Sequence, residues 1–209
     1  MSGHSKWSNI KRKKEKTDAA KAKAANVPND NIERIIKKAA GEGDNTNYEE
    51  LVYEGYGPCG VAVVVETLTD NRNRTAGEMR HYFDKFGGNL GQSGSVTFMF
   101  DRKGIIVIDA EGLDEDTVME AALEAGADDF EFDGEIFEIS TEPNSLGAVR
   151  DALEEQGYKF VSAEVAYVPQ TMSTIDDPDL VVKMERLIDM LEENDDVQAV
   201  WHNWEMPEE

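Results

Sequence analysis

In 209 residues the chain carries 44 Asp+Glu against 21 Lys+Arg, a formal net charge of −23, with 40% hydrophobic and 8% aromatic residues. That length suits one large domain or two to three small ones, and this apolar content excludes wholesale disorder. A single cysteine, Cys59, excludes an internal disulfide framework and a cysteine-rich zinc site, and the longest apolar run, Val61–Val65, falls far short of the ~20 residues of a bilayer-spanning helix.

The basic N-terminus runs into a lysine- and alanine-rich stretch and not into an apolar signal-peptide core, so a soluble, cytoplasmic protein without a membrane partner is expected. The charge is strongly divided. Met1–Gly41 holds eleven Lys+Arg and four Asp+Glu, a net of +7, whereas Glu42–Glu209 holds ten and forty, a net of −30. The acidic bulk would repel nucleic acid and anionic lipid at long range, so any polyanion contact must come through the basic arm or a local basic cluster. The plainer alternative is that the arm solvates a terminus while the acidic faces keep the protein soluble.

Taken in chain order, Lys6, Lys11, Arg12, Lys13, Lys14, Lys16, Lys21 and Lys23 lie among alanines in a basic helical stretch. Pro28 occupies a first-turn position ahead of Ile32, Ile35, Ile36 and Ala39, which repeat at helical spacing up to Gly41. After a polar linker from Glu42 to Asn47 the period becomes two: Leu51–Tyr56 and Val61–Thr69 read as strands joined by Gly57-Pro58-Cys59-Gly60. A helix is predicted from about Thr75 to Phe86, then a glycine-rich connection over Gly87–Ser95 and a third strand over Val96–Phe100. Ile105–Asp109 begins a second unit. Asp114 is placed to cap a helix, with Leu113 and Val118 as a hydrophobic staple and Gly126 as its end. Phe130–Phe132 and Ile136–Ile139 flank Asp133-Gly134, a strong hairpin signal. A helix capped by Asn144 or Ser145 and ended by Gly157, then a strand over Phe160–Val168, complete a β-α-β-β-α-β order, that of a ferredoxin-like unit. Pro178 starts a last helix striped by Leu180, Met184, Leu187, Ile188 and Leu191, and Val197–Trp204 is a last strand. This tail either returns to the first sheet, making the middle unit an insertion, or stands as a separate extension.

The expected architecture is α+β: a small N-terminal helical domain over 1–45, an α+β domain over 46–101 and 172–209, and an inserted ferredoxin-like βαββαβ domain over 102–171.

Catalysis is not expected. The three histidines, His4, His81 and His202, form no metal-spaced cluster, and Cys59 has no evident partner base. Ser93 and Ser95 lie in a glycine-rich loop that follows a helix, whereas phosphate-cradling loops follow a strand. Acid runs such as Glu192–Asp196 read as solvated helix ends. No cofactor or metal is expected.

The basic residues carry more. Lys11, Arg12, Lys13 and Lys14 place four like charges within about one helical turn, a cost that a polyanion would relieve. Trp7 beside Lys6 reads either as a base-stacking platform or as a helix anchor. Asp70-Asn71-Arg72-Asn73-Arg74, with Arg80 beyond, sits at a strand-to-helix junction, where two arginines and two asparagines suit phosphate and base-edge hydrogen bonds. The competing reading pairs Arg72 and Arg74 with neighbouring carboxylates. Trp201 and Trp204 read as a partner surface or as core.

Met1-Ser2-Gly3-His4-Ser5-Lys6-Trp7 with Asn9-Ile10-Lys11, Asn26-Val27-Pro28, Tyr53-Glu54-Gly55-Tyr56-Gly57-Pro58, Leu68-Thr69-Asp70-Asn71-Arg72-Asn73-Arg74 and Gly87-Gly88-Asn89-Leu90 resemble the YebC-like family almost throughout. That family comprises bacterial regulators and a mitochondrial translational activator. The resemblance implies a helical N-terminal domain, two α+β domains with the third inserted in the second, and no catalytic residue or cofactor. It implies a DNA-binding transcriptional regulator, with a ribosome-associated factor binding RNA as the rival reading. A protein-interaction or small-ligand module, with the arm as a tether, is the alternative from another class. Members of the family usually carry a few dozen more residues between the parts matching Asp18-Ala19-Ala20-Lys21 and Ala24-Ala25-Asn26. The residues expected to contact nucleic acid are Lys6, Trp7, Lys11, Arg12, Lys13 and Lys14 on the arm and Arg72, Arg74 and Arg80 on the body.

Overall fold

The computed structural model describes residues 48–206, so the predicted N-terminal helices and Lys6, Trp7, Lys11, Arg12, Lys13 and Lys14 lie outside the described residues. These divide into two compact units, one of residues 97–172 and one of 48–96 with 173–206. The structure is α+β, with two four-stranded antiparallel sheets and four α-helices among the described residues. In chain order they are β1 (Glu49–Tyr56), β2 (Ala62–Thr69), α1 (Arg72–Lys85) and β3 (Asn89–Leu90). Then come β4 (Phe100–Asp109), α2 (Glu115–Glu124), β5 (Asp129–Phe132), β6 (Ile136–Thr141), α3 (Leu146–Glu155) and β7 (Phe160–Pro169), and finally α4 (Pro178–Glu192) and β8 (Val197–His202).

The first sheet has the order β3-β1-β2-β8. Its β1–β2 hairpin is in register from Glu49↔Thr69 to Tyr56↔Ala62 and closes on a Pro58–Gly60 turn, where the Gly57 N–H donates to Val61 O at 2.8 Å. Val61, Val63 and Val65 on one face meet Met79 and Phe83 of α1 and Met184, Leu187, Ile188 and Leu191 of α4 in a single core. Each of those side chains contributes about 1.5–3 kcal/mol by leaving water. The α4 stripe is thus the predicted one, held at its start by Pro178 and the Asp177 cap. Trp204 is fully buried in this core, while Trp201 is half-buried and its indole N–H donates to Glu66 Oε2 at 2.9 Å. Strand β8 stops at His202 because Asn203 turns its side chain into the sheet, its Oδ1 accepting the Ala62 N–H at 2.8 Å.

Two elements differ from the sequence expectation. Helix α1 starts at Arg72, ahead of Thr75, because Asn71 caps it: Asn71 Oδ1 accepts the Arg74 N–H at 3.1 Å. The third strand of the first sheet is Asn89–Leu90, paired with β1, and not Val96–Phe100. Backbone donors must be satisfied somewhere. In this loop the buried Glu54 carboxylate does it, accepting from Gly94 N–H at 2.6 Å and Val96 N–H at 2.9 Å, so the segment folds over β1 instead of pairing as a strand. Thr97–Met99 is a 3-10 turn, and the strand begins only at Phe100.

The second sheet has the order β5-β6-β4-β7, with α2 and α3 packed on Ile106, Ile108, Phe137 and Ile139. Asp114 caps α2 by accepting the Thr117 N–H at 3.1 Å. Gly126 ends it at φ 98°, a left-handed conformation that glycine adopts without a Cβ penalty. The β5–β6 turn is held by Asp133 Oδ1, which accepts the Glu135 and Ile136 N–H groups at 2.9 Å each. Leu113 stays 41% exposed, so the predicted staple does not bury it.

Candidate nucleic-acid interface

Strand β2 ends on Thr69, and the chain turns through Asp70 and Asn71 directly into α1. The first turn of α1 contains Arg72 and Arg74 and no acid. Since a helix N-terminus is itself positive, cations there need compensation. Arg74 obtains it. Its Nη2 donates to Asp70 Oδ1 and to Asp196 Oδ2 at 2.7 Å each. Asp196 is 4% exposed, and the hydroxyls of Thr69 and Thr75 also lie 3.1 and 2.9 Å from its Oδ2. Burial alone would raise the Asp196 carboxyl, but the hydrogen bonds from Arg74, Thr75 and Thr69 outweigh it and hold the group below the usual carboxylate range. Hydrogen bonding to Asp196 and Asp70 pushes the Arg74 guanidinium further up. The same turn accepts from β2, Leu68 N–H donating to Asp196 O at 2.8 Å, and reaches α1 again where Asn194 Nδ2 donates to Glu78 Oε2 at 2.8 Å. The Glu192–Asp196 run is therefore not only a solvated helix end: its last residue locks the start of α1 to the start of β8.

Arg72 and Arg80 are placed differently. Both are exposed, and among the described residues neither takes part in an ion pair. The Tyr53 hydroxyl lies 3.5 Å from the Arg72 carbonyl oxygen, and burial pushes the Tyr53 phenol up against the opposing charge of Arg72. Asn73, Gly77 and Arg80 follow one another at i, i+4 and i+7, which sets them on one exposed stripe of α1. A Cβ on Gly77 would meet nothing within 4 Å, so no packing inside the protein requires glycine there. Beside this stripe a polar cleft of about 430 Å³ is lined by Tyr48, Asp70, Arg74, Glu78, Asn194, Asp195 and Asp196. Four carboxylates to one guanidinium make it repulsive to phosphate, so an anion approaching α1 meets less repulsion on the outer stripe.

The structure thus brings Arg72, Arg74 and Arg80 together on one helix, with Arg74 engaged by carboxylates. Of the other residues weighed from the sequence, His81 lies exposed on α1 beside Arg80. Cys59 and Ser93 are exposed, and His202 is buried in β8 with its Nδ1 accepting the Trp204 N–H at 3.3 Å. Sequence reading missed Thr69, Thr75 and Asp196 as a cluster, because about 120 residues separate Asp196 from the rest.

Two α+β units of this kind, the second lying in sequence between the halves of the first, define the class of protein. Residues 48–204 match the family described as TACO1/YebC second and third domain, and the chain belongs to that family. A protein of Acetivibrio thermocellus named probable transcriptional regulatory protein is 54% identical over 239 residues, covering 98% of this chain and 99% of its own. A Finegoldia magna protein of the same name is 53% identical with the same coverage. The crystal structure of a conserved hypothetical protein from Aquifex aeolicus is similar with a TM-score of 0.74 and 47% identity, over 90% of this chain and 77% of that one. The 239 aligned positions exceed the 209 residues here by 30, so these relatives carry at least that many residues with no counterpart in this chain. No helix among the described residues is long and apolar enough to cross a membrane, and no group of three or more His, Cys, Asp or Glu is placed to hold a metal ion.

Proposed function

We propose that this protein is a transcriptional regulator that binds DNA with little sequence demand, through the basic arm and the exposed stripe of α1. The observation that carries this reading is the 53–54% identity, over nearly the whole chain, to proteins named probable transcriptional regulatory protein. Lys6, Lys11, Arg12, Lys13 and Lys14 contact phosphates, and Trp7 stacks or anchors beside them. Arg72 and Arg80 make a second contact, with Arg74 held between Asp70 and Asp196 to fix the helix start from which they project. Gly77 supports this reading, since an exposed helical glycine costs roughly 1 kcal/mol against alanine and leaves bare backbone where a sugar-phosphate chain could approach closely. The reading assigns no catalytic residue, metal or cofactor.

The domain plan that goes with it is a helical head over 1–45, an α+β domain over 46–101 and 172–209, and an inserted domain over 102–171. The order β5-β6-β4-β7, with chain order β-α-β-β-α-β, supports a ferredoxin-like assignment for the inserted domain. The first unit shares the antiparallel sheet but has the chain order β-β-α-β followed by α-β, a different connection of similar parts.

Gel-shift titrations of the wild type and a K11A/R12A/K13A/K14A variant at several salt concentrations test the assignment. The variant should bind more weakly to any duplex, with the slope of log K against log salt shallower by roughly 3 to 4. Equal affinity and an unchanged slope would remove the arm from the interface. Ribosome co-sedimentation lost on the same substitutions, without any duplex binding, would move the target to ribosomal RNA.

A further inference from the structure

Phe98 is the most exposed large apolar side chain among the described residues, at 67%. The backbone explains why. In an uninterrupted strand Phe98 and Phe100 would share a face, because side chains there repeat with a period of two. The 3-10 turn over Thr97–Met99 breaks that period, so Phe100 is 6% exposed while Phe98 stays in solvent and belongs to neither hydrophobic core. The turn itself is tied down: the Gln170 N–H donates to Met99 O at 2.9 Å, and Phe100 stands opposite Pro169 of β7. The ring is therefore held in water on an anchored piece of backbone, without the stabilisation that burial would give it.

The strand leaving this turn supplies a cation. Arg102 of β4 stands opposite Tyr167 of β7. Its guanidinium lies over the Tyr167 ring, 5.5 Å from the centroid, and Phe100 meets the same ring edge-on at 6.5 Å. Such stacking orients a guanidinium without using its N–H groups. Arg102 is exposed, and among the described residues neither it nor Lys103 takes part in an ion pair. Residues 48–206 hold only ten Lys+Arg against 36 Asp+Glu, so two adjacent unpaired cations are a scarce feature of this body. The nearest acid in the chain, Asp101, accepts instead from Gln170 Nε2 at 3.0 Å. Four residues reach at most ~14 Å, which sets Phe98 and Arg102 within the span of a few consecutive nucleotides.

We propose that Phe98 and Arg102 form a contact for single-stranded nucleic acid, in addition to the arm and α1. A base stacks on Phe98, Arg102 steadied on Tyr167 donates to a phosphate, and Lys103 adds positive potential. An exposed ring beside an oriented cation matches what an unpaired strand offers, since every base has a π face and every nucleotide a phosphate. A duplex keeps its bases stacked on one another and gives Phe98 none. A protein partner would find one ring bordered by cations and not a contiguous apolar patch.

Fluorescence anisotropy of the full chain with labelled oligo(dT), oligo(rU) and a blunt duplex of equal length tests the contact. Phe98→Ala should weaken single-strand binding roughly 5- to 100-fold, Phe98→Tyr should restore it, and neither should alter duplex binding. Arg102→Ala should make the slope of log K against log salt shallower by roughly 0.7 on the single strands. Wild type that binds neither single strand, or a Phe98→Ala variant that binds them as wild type does, would overturn the contact and leave Phe98 to a protein partner. So would an equal loss on single strands and duplex. Duplex binding without single-strand binding sinks this contact and leaves the function proposed above standing; Phe98-dependent single-strand binding without duplex binding does the reverse.

Discussion

Asp196 and Arg74 show how environment, more than residue type, sets the role of a side chain in so acidic a protein. Three donors converge on one buried Asp196 oxygen, those of Arg74, Thr69 and Thr75. In the Asp196→Asn variant an amide replaces the carboxylate, the charge-assisted bond to Arg74 is lost and an N–H₂ group meets donors, which should cost about 1–3 kcal/mol in urea unfolding at neutral pH. The effect is pH-dependent with a definite sign. The folded-state pKa of Asp196 is depressed, so its contribution is fully present above the unfolded-state value of ~3.9 and is lost as pH falls from there through the folded-state value. The stability gap between wild type and variant should therefore be widest at pH 7 and narrow below about pH 4; a gap independent of pH would show that the charge of Asp196 contributes nothing. The sequence left Arg74 open between nucleic acid and neighbouring carboxylates and could not single out Asp196. One acid in a run of four looks solvated until the fold brings β2 and α1 against it.

At the scale of elements, local chemistry decided what was legible. The Asp133-Gly134 hairpin, the Pro178 helix start and the α4 stripe depend on neighbouring residues, and each is where its spacing predicts. The Val96–Phe100 strand failed because its fate depends on Glu54, about 40 residues away, whose carboxylate takes the loop's N–H groups. Helix α1 combines both cases: its core residues Met79 and Phe83 repeat at helical spacing, while its true start follows from the Asn71 cap. Its exposed Gly77 is the element's internal contradiction, since open space surrounds it and alanine would serve the helix better. Gly77→Ala should raise stability by roughly 0.5–1 kcal/mol and at the same time weaken duplex binding several-fold by setting a methyl group between Asn73 and Arg80. Chemical denaturation and gel shifts on the same preparation read both quantities. Higher stability with unchanged affinity would remove this stripe from the interface.

For the whole molecule the governing quantity is the separation of charge, +7 on Met1–Gly41 and −30 on the remainder. Eight Lys+Arg in the first 26 residues, each meeting a DNA phosphate, would give a slope of log K against log salt of roughly −7. That figure counts only the arm. Residues 48–206 hold 36 Asp+Glu against ten Lys+Arg, and the repulsion of DNA by this acidic body acts at long range and is screened as salt rises. Neutralising two exposed carboxylates at the start of α2, Glu115→Gln with Asp116→Asn, should therefore raise affinity for duplex DNA at low salt in gel shifts while leaving it unchanged at high salt, where screening has already removed the repulsion. An affinity unchanged at low salt would show that the charge of the body does not act on the bound DNA.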